Sequence, residues 1–266
     1  MAEMEHLPNF LKDNYIHPKA AWDNLRMAGA RRQNVYLYAA TGYGKTELLH
    51  RYLRRRRHIW LSGEGLTVET LQEIALPAEA TMVIDDLARV LDPAVRREIV
   101  SMLDQPGLWL VLAGRCPLPS WLTQPYVNGR LSVIPEEDLR LSEKEIAQLY
   151  LSWGVQLPRN LLEKRIIPLV EGNPLGARLL AAEMSQGSSY TEELVNDLTR
   201  KFYEYLNQAI YSEWPEEIRE MMMQLSLLEH FTIQQAEEMT GRSDVNRLLA
   251  QAAETGNLFS IKDGGY

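Results

Sequence analysis

The sequence predicts an α/β fold: a parallel β-sheet covered by helices, followed by a part that is almost wholly helical. Three observations predict it. Short β-favouring runs alternate with polar, partly amphipathic stretches through the first half of the chain. A glycine-bearing turn joins one of those runs directly to a run with helical periodicity. From Leu141 onward the pattern turns helical almost throughout.

The first β-favouring run is Asn34, Val35, Tyr36, Leu37, Tyr38, and Thr46 to Leu53 has helical spacing. Between them lie Ala39, Ala40, Thr41, Gly42, Tyr43, Gly44, Lys45 and Thr46. Glycines let a backbone curl so that successive N–H groups face phosphate oxygens, a lysine supplies a point charge, and a threonine hydroxyl ligates Mg²⁺. A helix N-terminus behind such a loop adds a dipole favourable to phosphate. The segment therefore reads as a phosphate-binding loop for ATP or GTP with Mg²⁺, although the pattern G-x-x-x-x-G-K-[ST] would place glycine where this chain has Ala39. Thr41, Gly42, Tyr43, Gly44, Lys45, Thr46 and Glu47 are the candidate nucleotide-binding residues, with Lys45 also the charge that acts on the transferred phosphate. The plainer alternative is a glycine-rich turn that binds nothing.

Further strands are expected at His58 to Ser62, Thr81 to Asp85, Leu108 to Gly114 and Leu131 to Ile134. The run Met82, Val83, Ile84 ends in Asp85 and Asp86, which suits a second phosphate-site motif: one carboxylate holds Mg²⁺ and the other orients a hydrolytic water. Asp85 is assigned to Mg²⁺ beside Thr46, and Asp86 to the water; two acidic turn residues are the alternative. Residues 58 to 79 leave room for a strand and a helix, which places an additional strand between the two motifs and favours a carboxylate-activated ATPase over a small GTPase. Arg115, after the strand Leu108 to Gly114, would emerge at the carboxyl edge of the sheet, where ligands sit, and could sense a γ-phosphate. A surface ion pair is the competing role.

Composition narrows the classes. The chain has 266 residues, is 45% hydrophobic and carries a formal net charge of −8, which suits a cytoplasmic globular protein and argues against a surface that binds nucleic acid throughout. No apolar run approaches membrane-spanning length and the N-terminus lacks a signal peptide's apolar core. With one cysteine, Cys116, neither an intrachain disulfide nor a cysteine zinc site can form, and the five histidines lack metal-ligand spacing. The one basic cluster, Arg51 with Arg54 to Arg57, closes the helix behind the loop and reads as a solvated face that complements the helix dipole.

The helical part begins with a capping box, Ser142 with Glu145, ahead of Ile146, Leu149, Tyr150 and Trp153 on one face. Glu171, Gly172, Asn173, Pro174 is a helix stop with proline opening the next helix. From about Ala209, Thr232 caps a short helix ended by Gly241, Ser243 caps another through Glu254, and Leu258 to Ile261 form a strand entering the turn Lys262 to Gly265. Helix, turn, helix and hairpin is the order of a winged helix. Residues 209–266 hold four Lys/Arg against ten Asp/Glu, a net of −6, so packing within the protein suits this part better than DNA binding. The hairpin's return strand is missing, so a fragment of a longer protein is expected.

The expected architecture is thus a P-loop nucleotide-binding domain over residues 1–140, a helical subdomain over 141–208 and a winged-helix-like subdomain over 209–266. With Ala39 and Gly42 to Thr46, Ile59 to Ser62, Val83 to Asp86, Ala113 to Arg115 and Glu171 to Pro174 together, the chain resembles the STAND class of signal-transduction ATPases, in particular the ATPase module of large LuxR-type, maltose-regulon-activator-like transcriptional regulators. In that family the loop commonly begins with alanine. The resemblance implies that Gly172 to Pro174 line the adenine side with Pro174 against the nucleotide, that Arg115 is the first sensor, and that the winged helix closes over ADP. A winged-helix histidine often touches phosphate there; His230 precedes the helices and does not match it. Inducer-sensing repeats and a DNA-binding domain would lie outside this chain. The reading is an ATP/ADP switch that self-associates with ATP and hydrolyses it slowly, with Asp86, Lys45 and Arg115 as the catalytic set and no membrane partner. Two alternatives stand: an ATPase that loads or remodels nucleic acid or protein, and a scaffold in which ADP is structural.

Overall fold

The structure is a computed structural model and describes residues 14–255 other than 188, 210, 212, 213 and 229. Helix α1 (Lys19–Arg31) leads into β1 (Asn34–Tyr38) and α2 (Lys45–Leu53), then β2 (Ile59–Ser62), α3 (Val68–Glu73) and β3 (Ala80–Asp85). A 3-10 turn at Leu87–Arg89 precedes α4 (Pro93–Met102), β4 (Leu108–Gly114), α5 (Ser120–Val127), β5 (Leu131–Ile134) and α6 (Glu136–Leu139). All five strands pair in parallel in the order β2-β3-β4-β1-β5. The strand inserted between the two motif strands β1 and β3 is therefore β4; β2, which the chain order had pointed to, stands at the edge. That exchange brings Arg115, at the end of β4, between the two motifs.

The sheet is buried on both faces, so its central strands are continuous apolar runs whose alternate residues serve opposite layers. Trp109, Val111 and Ala113 join Val35, Leu37 and Val83 in a core with α1 and α2 through Leu25, Leu48 and Leu53. Leu108, Leu110 and Leu112 join Tyr36, Met82 and Ile84 in a second core that takes Leu71, Val95, Ile99 and Leu122 from α3, α4 and α5. Each fully buried leucine or isoleucine contributes about 1.5–3 kcal/mol. Gly114 is needed where it stands: a Cβ there would lie 2.4 Å from the Tyr36 hydroxyl, which reaches the Cys116 carbonyl at 2.6 Å.

The helical part comprises α7 (Glu143–Ser152), α8 (Arg159–Leu161), α9 (Ile167–Val170), α10 (Pro174–Ser185) and α11 (Glu192–Ala209), a π-helical stretch at Leu162–Ile166 joining α8 to α9. Ser142 and Glu145 form the expected capping box. Leu141, Ile146, Leu149, Tyr150, Ile166, Leu180 and Leu198 build a core of their own, against which Ile16 also packs. Then come α12 (Glu216–Leu225), α13 (Ile233–Thr240) and α14 (Val245–Thr255). Thr232 caps α13 in a box with Gln235, and Gly241 ends it at φ 67°. The first backbone bond of α14 runs from Leu248 to the Asp244 carbonyl, so Asp244 takes the cap position expected of Ser243. Trp214, Ile218, Met221, Phe231, Leu248 and Leu249 form a fourth core. The strand expected at Leu258 to Ile261 and its turn lie outside the described residues. No helix among the described residues is long and apolar enough to cross a membrane.

Candidate functional site

The loop between β1 and α2 lies at the carboxyl edge of the sheet, where parallel α/β folds place their ligands. Gly42 and Gly44 adopt φ 92° and 74°, in the left-handed region that side chains avoid. No side chain caps α2, and its first backbone bond runs from Leu48 to the Gly44 carbonyl, so the preceding amides of Lys45, Thr46 and Glu47 head the helix as an anion would require. Thr41 Oγ1 is buried and has no hydrogen-bond partner. An orphaned hydroxyl beside an uncapped helix N-terminus fits a phosphate.

Lys45 folds back on its own loop, its Nζ donating to the carbonyls of Ala39 at 2.5 Å and Ala40 at 3.1 Å. Burial pushes its pKa down to about 8; Asp85 opposes that shift and Arg115 adds to it. Thr46 donates its hydroxyl to Asp85 Oδ2 at 2.7 Å, while Asp85 Oδ1 accepts the Asp86 N–H at 2.9 Å. Thr46 and Asp85 thus stand together as one hydroxyl and one carboxylate, the sparse protein donor set that Mg²⁺ uses when phosphates and waters complete its shell. Among the described residues no cluster of three or more His, Cys, Asp or Glu offers a metal site independent of a nucleotide.

Asp86 sits at φ 51° as the residue before the 3-10 turn, and its Oδ1 lies 3.4 Å from Arg115 Nη2. The structure therefore brings Lys45, Thr46, Asp85, Asp86 and Arg115 to one edge. The close approach of β2 to this turn needs Gly63, where a Cβ would lie 2.4 Å from the Asp86 carbonyl oxygen. Glu47 is the exception: its carboxylate turns away to Arg51 at 2.5 Å, leaving only its backbone amide toward the loop.

Pro174 opens α10, with Asn173 Oδ1 accepting the Gly176 N–H at 2.9 Å. The start of α10 reaches the loop: a Cβ on Gly42 would lie 3.2 Å from Leu175 Cδ2. Behind Tyr43, a cleft of about 370 Å³ runs between α9, α10 and α11, lined by Leu169, Asn173, Leu179, Val195 and Leu198 among others. On the other flank α14 lies against the 3-10 turn Leu87–Arg89 that follows Asp86.

Two contributors carry no motif. Tyr15 lies under the Arg51 guanidinium, 4.3 Å from its ring centroid, and burial, reinforced by Glu47, raises its pKa. Glu136 at the start of α6 accepts the Ala40 N–H at 2.9 Å. An aromatic in the N-terminal stretch signals little alone, and Glu136 meets Ala40 only because β5 pairs with β1.

Residues 207–265 match the MalT winged helix domain. Among solved structures, a Walker-type ATPase of Pyrococcus abyssi superposes with a TM-score of 0.67 at 12% identity, covering 96% of this chain and 93% of its own. Two variants of Thermotoga maritima RuvB superpose with TM-scores of 0.53 and 0.52, both at 17% identity, over 90% and 92% of this chain and 89% and 92% of theirs. At such identities the likeness is one of fold. No curated protein matches the sequence. The parallel sheet with its phosphate-loop geometry, together with the C-terminal match, makes this chain similar to a MalT-like P-loop ATPase module.

Proposed function

We propose that the chain is the nucleotide-binding switch of a signal-responsive transcriptional regulator, binding ATP or ADP with Mg²⁺ at the loop Thr41 to Glu47 and hydrolysing ATP slowly as a reset. The observation that carries the reading is the convergence of Lys45, Thr46, Asp85, Asp86 and Arg115 at one sheet edge, with Thr46 2.7 Å from Asp85. Lys45 and the helix amides would hold phosphate, Thr46 and Asp85 would hold Mg²⁺, and Asp86 would orient the attacking water once Arg115 turns to the γ-phosphate. Pro174 would bound the base.

The separate cores support a division into three units, which we take as residues 1–140 for the nucleotide-binding domain, 141–208 for the helical subdomain and 209–266 for the winged-helix part. A switch needs a second state, and the contact of α14 with the turn after Asp86 offers a closed one in which the carboxylate's surroundings report which nucleotide is bound. Swinging such an equilibrium from 1:99 to 99:1 takes about 5.5 kcal/mol of differential affinity between the nucleotides. ATP would favour the open, self-associating state, while inducer and DNA would act through other parts of the regulator.

Lys45→Ala is the test: it should abolish ADP and ATP binding in an equilibrium titration, and normal affinity in that variant would remove the site assignment. A steady turnover above about 1 per second, stimulated by DNA, would favour a motor that acts on nucleic acid instead.

A further inference from the structure

We propose that Glu136, which belongs to no motif, is a positioning residue of the phosphate loop, fixing Ala40 and Tyr43 in the shape that receives the nucleotide; the proposal rests on the nucleotide-binding reading of that loop. Strand register explains how it gets there. Leu37 pairs with Ile134, so two residues beyond each strand end Glu136 arrives beside the start of the loop. The N–H of Ala39 still reaches the Gly114 carbonyl at 3.4 Å; that of Ala40 is the first past the sheet, and it donates to Glu136 Oε2 at 2.9 Å.

The same carboxylate also acts on Tyr43, whose hydroxyl pKa is raised first by burial and then by the charge of Glu136, while Asn173 Oδ1 accepts the Gly176 N–H at the start of α10. One side chain thus ties the first limb of the loop to the segment after β5 and places its charge near Tyr43. A carboxylate next to an anion site repels the ligand, so its presence needs a compensating role and a damped charge. Arg140 Nη2 lies 3.3 Å from its other oxygen, and the side chain is only 24% exposed. Ala40 lies just past the last sheet bond, so an external acceptor that holds its N–H supplies order that the strand ladder no longer supplies.

The test is titration of the full 266-residue chain with ADP and Mg²⁺. Glu136→Ala should weaken binding by about 10- to 100-fold, the expected consequence of losing a charge-assisted bond to a part-buried amide. Glu136→Gln should bind within about threefold of the unaltered chain, because its amide oxygen still accepts from Ala40. Tyr43→Phe should cost less affinity in the Glu136→Ala background than alone, as coupled neighbours do. A merely structural role would instead shift the urea midpoint without nucleotide, leave the affinity of the folded variant unchanged and give no such coupling. Normal affinity in Glu136→Ala while Lys45→Ala fails to bind would overturn the proposal and leave the nucleotide reading intact. Binding as weak in Glu136→Gln as in Glu136→Ala would also overturn it. If Glu136→Ala does not fold, Tyr43→Phe and Glu136→Gln decide, with unchanged affinity in Tyr43→Phe counting against the role. Failure of the unaltered chain to bind would sink the nucleotide reading, and this proposal with it.

Discussion

Raising the pH through 8 to 10 should weaken nucleotide binding by about tenfold per unit, because the ligand needs a charged Lys45 and the empty site discharges it. Burial holds the ammonium's pKa near 8 instead of its ordinary 10.5. At pH 9 roughly one nucleotide-free molecule in ten still carries the proton, and binding must then recruit it, so affinity falls with a slope of about one. The folded chain obeys the opposite sign. Between about 8 and 10.5 the unfolded lysine keeps a proton that the folded one has released, so stability rises with pH across that window, by at most about 3.4 kcal/mol for the full gap. Isothermal titration of ADP at half-unit steps from pH 7 to 9.5 reads the first slope; urea midpoints of the unaltered chain relative to Lys45→Met read the second. Lys45→Arg, charged throughout, should bind with no slope in the same range. An affinity flat to pH 9.5 in the unaltered chain would refute the claim that Lys45 is desolvated and essential.

Three further outcomes follow from the geometry. Thr46→Val removes the hydroxyl 2.7 Å from Asp85 and should erase the enhancement of ATP affinity by Mg²⁺, read from titrations with and without the metal; an undiminished enhancement would move the metal elsewhere. Arg115→Ala should lose preference for ATP over ADP while changing stability by less than about 1 kcal/mol, since its 3.4 Å pair with Asp86 is partly exposed; competition binding and denaturant melts check the two halves. Gly63→Ala drives a Cβ into the Asp86 carbonyl and should destabilise the chain by about 1–3 kcal/mol in denaturant melts, whereas an unchanged midpoint would contradict the approach of β2 to that turn.

Much of this site was legible because its signals are local. Loop glycines, a lysine and a threonine in sequence between a β-favouring and a helical run specify a turn that only a few backbones satisfy. The Asn173 cap and the Ser142 and Thr232 boxes likewise act within three residues. What the chain order hid depends on strand exchange. Nothing in residues 58–79 tells that β2 goes to the edge and β4 enters between the motifs, yet that order is what sets Arg115 beside Asp86. Glu136 escaped notice for the same reason, lying 96 residues from the amide it holds. For Glu47, the position in the first turn says where its amide points, while its carboxylate follows the helix surface to Arg51.

The proposed switch is tested most directly by the separation of α14 from the turn after Asp86 in each nucleotide state. Spin labels at Leu91→Cys and Ala250→Cys, both exposed positions, in a Cys116→Ser background allow the distance to be read by pulsed electron resonance. With ADP and Mg²⁺ the distribution should be short and narrow, and with a non-hydrolysable ATP analogue it should shift to longer distances. One distribution common to both nucleotides would contradict the account.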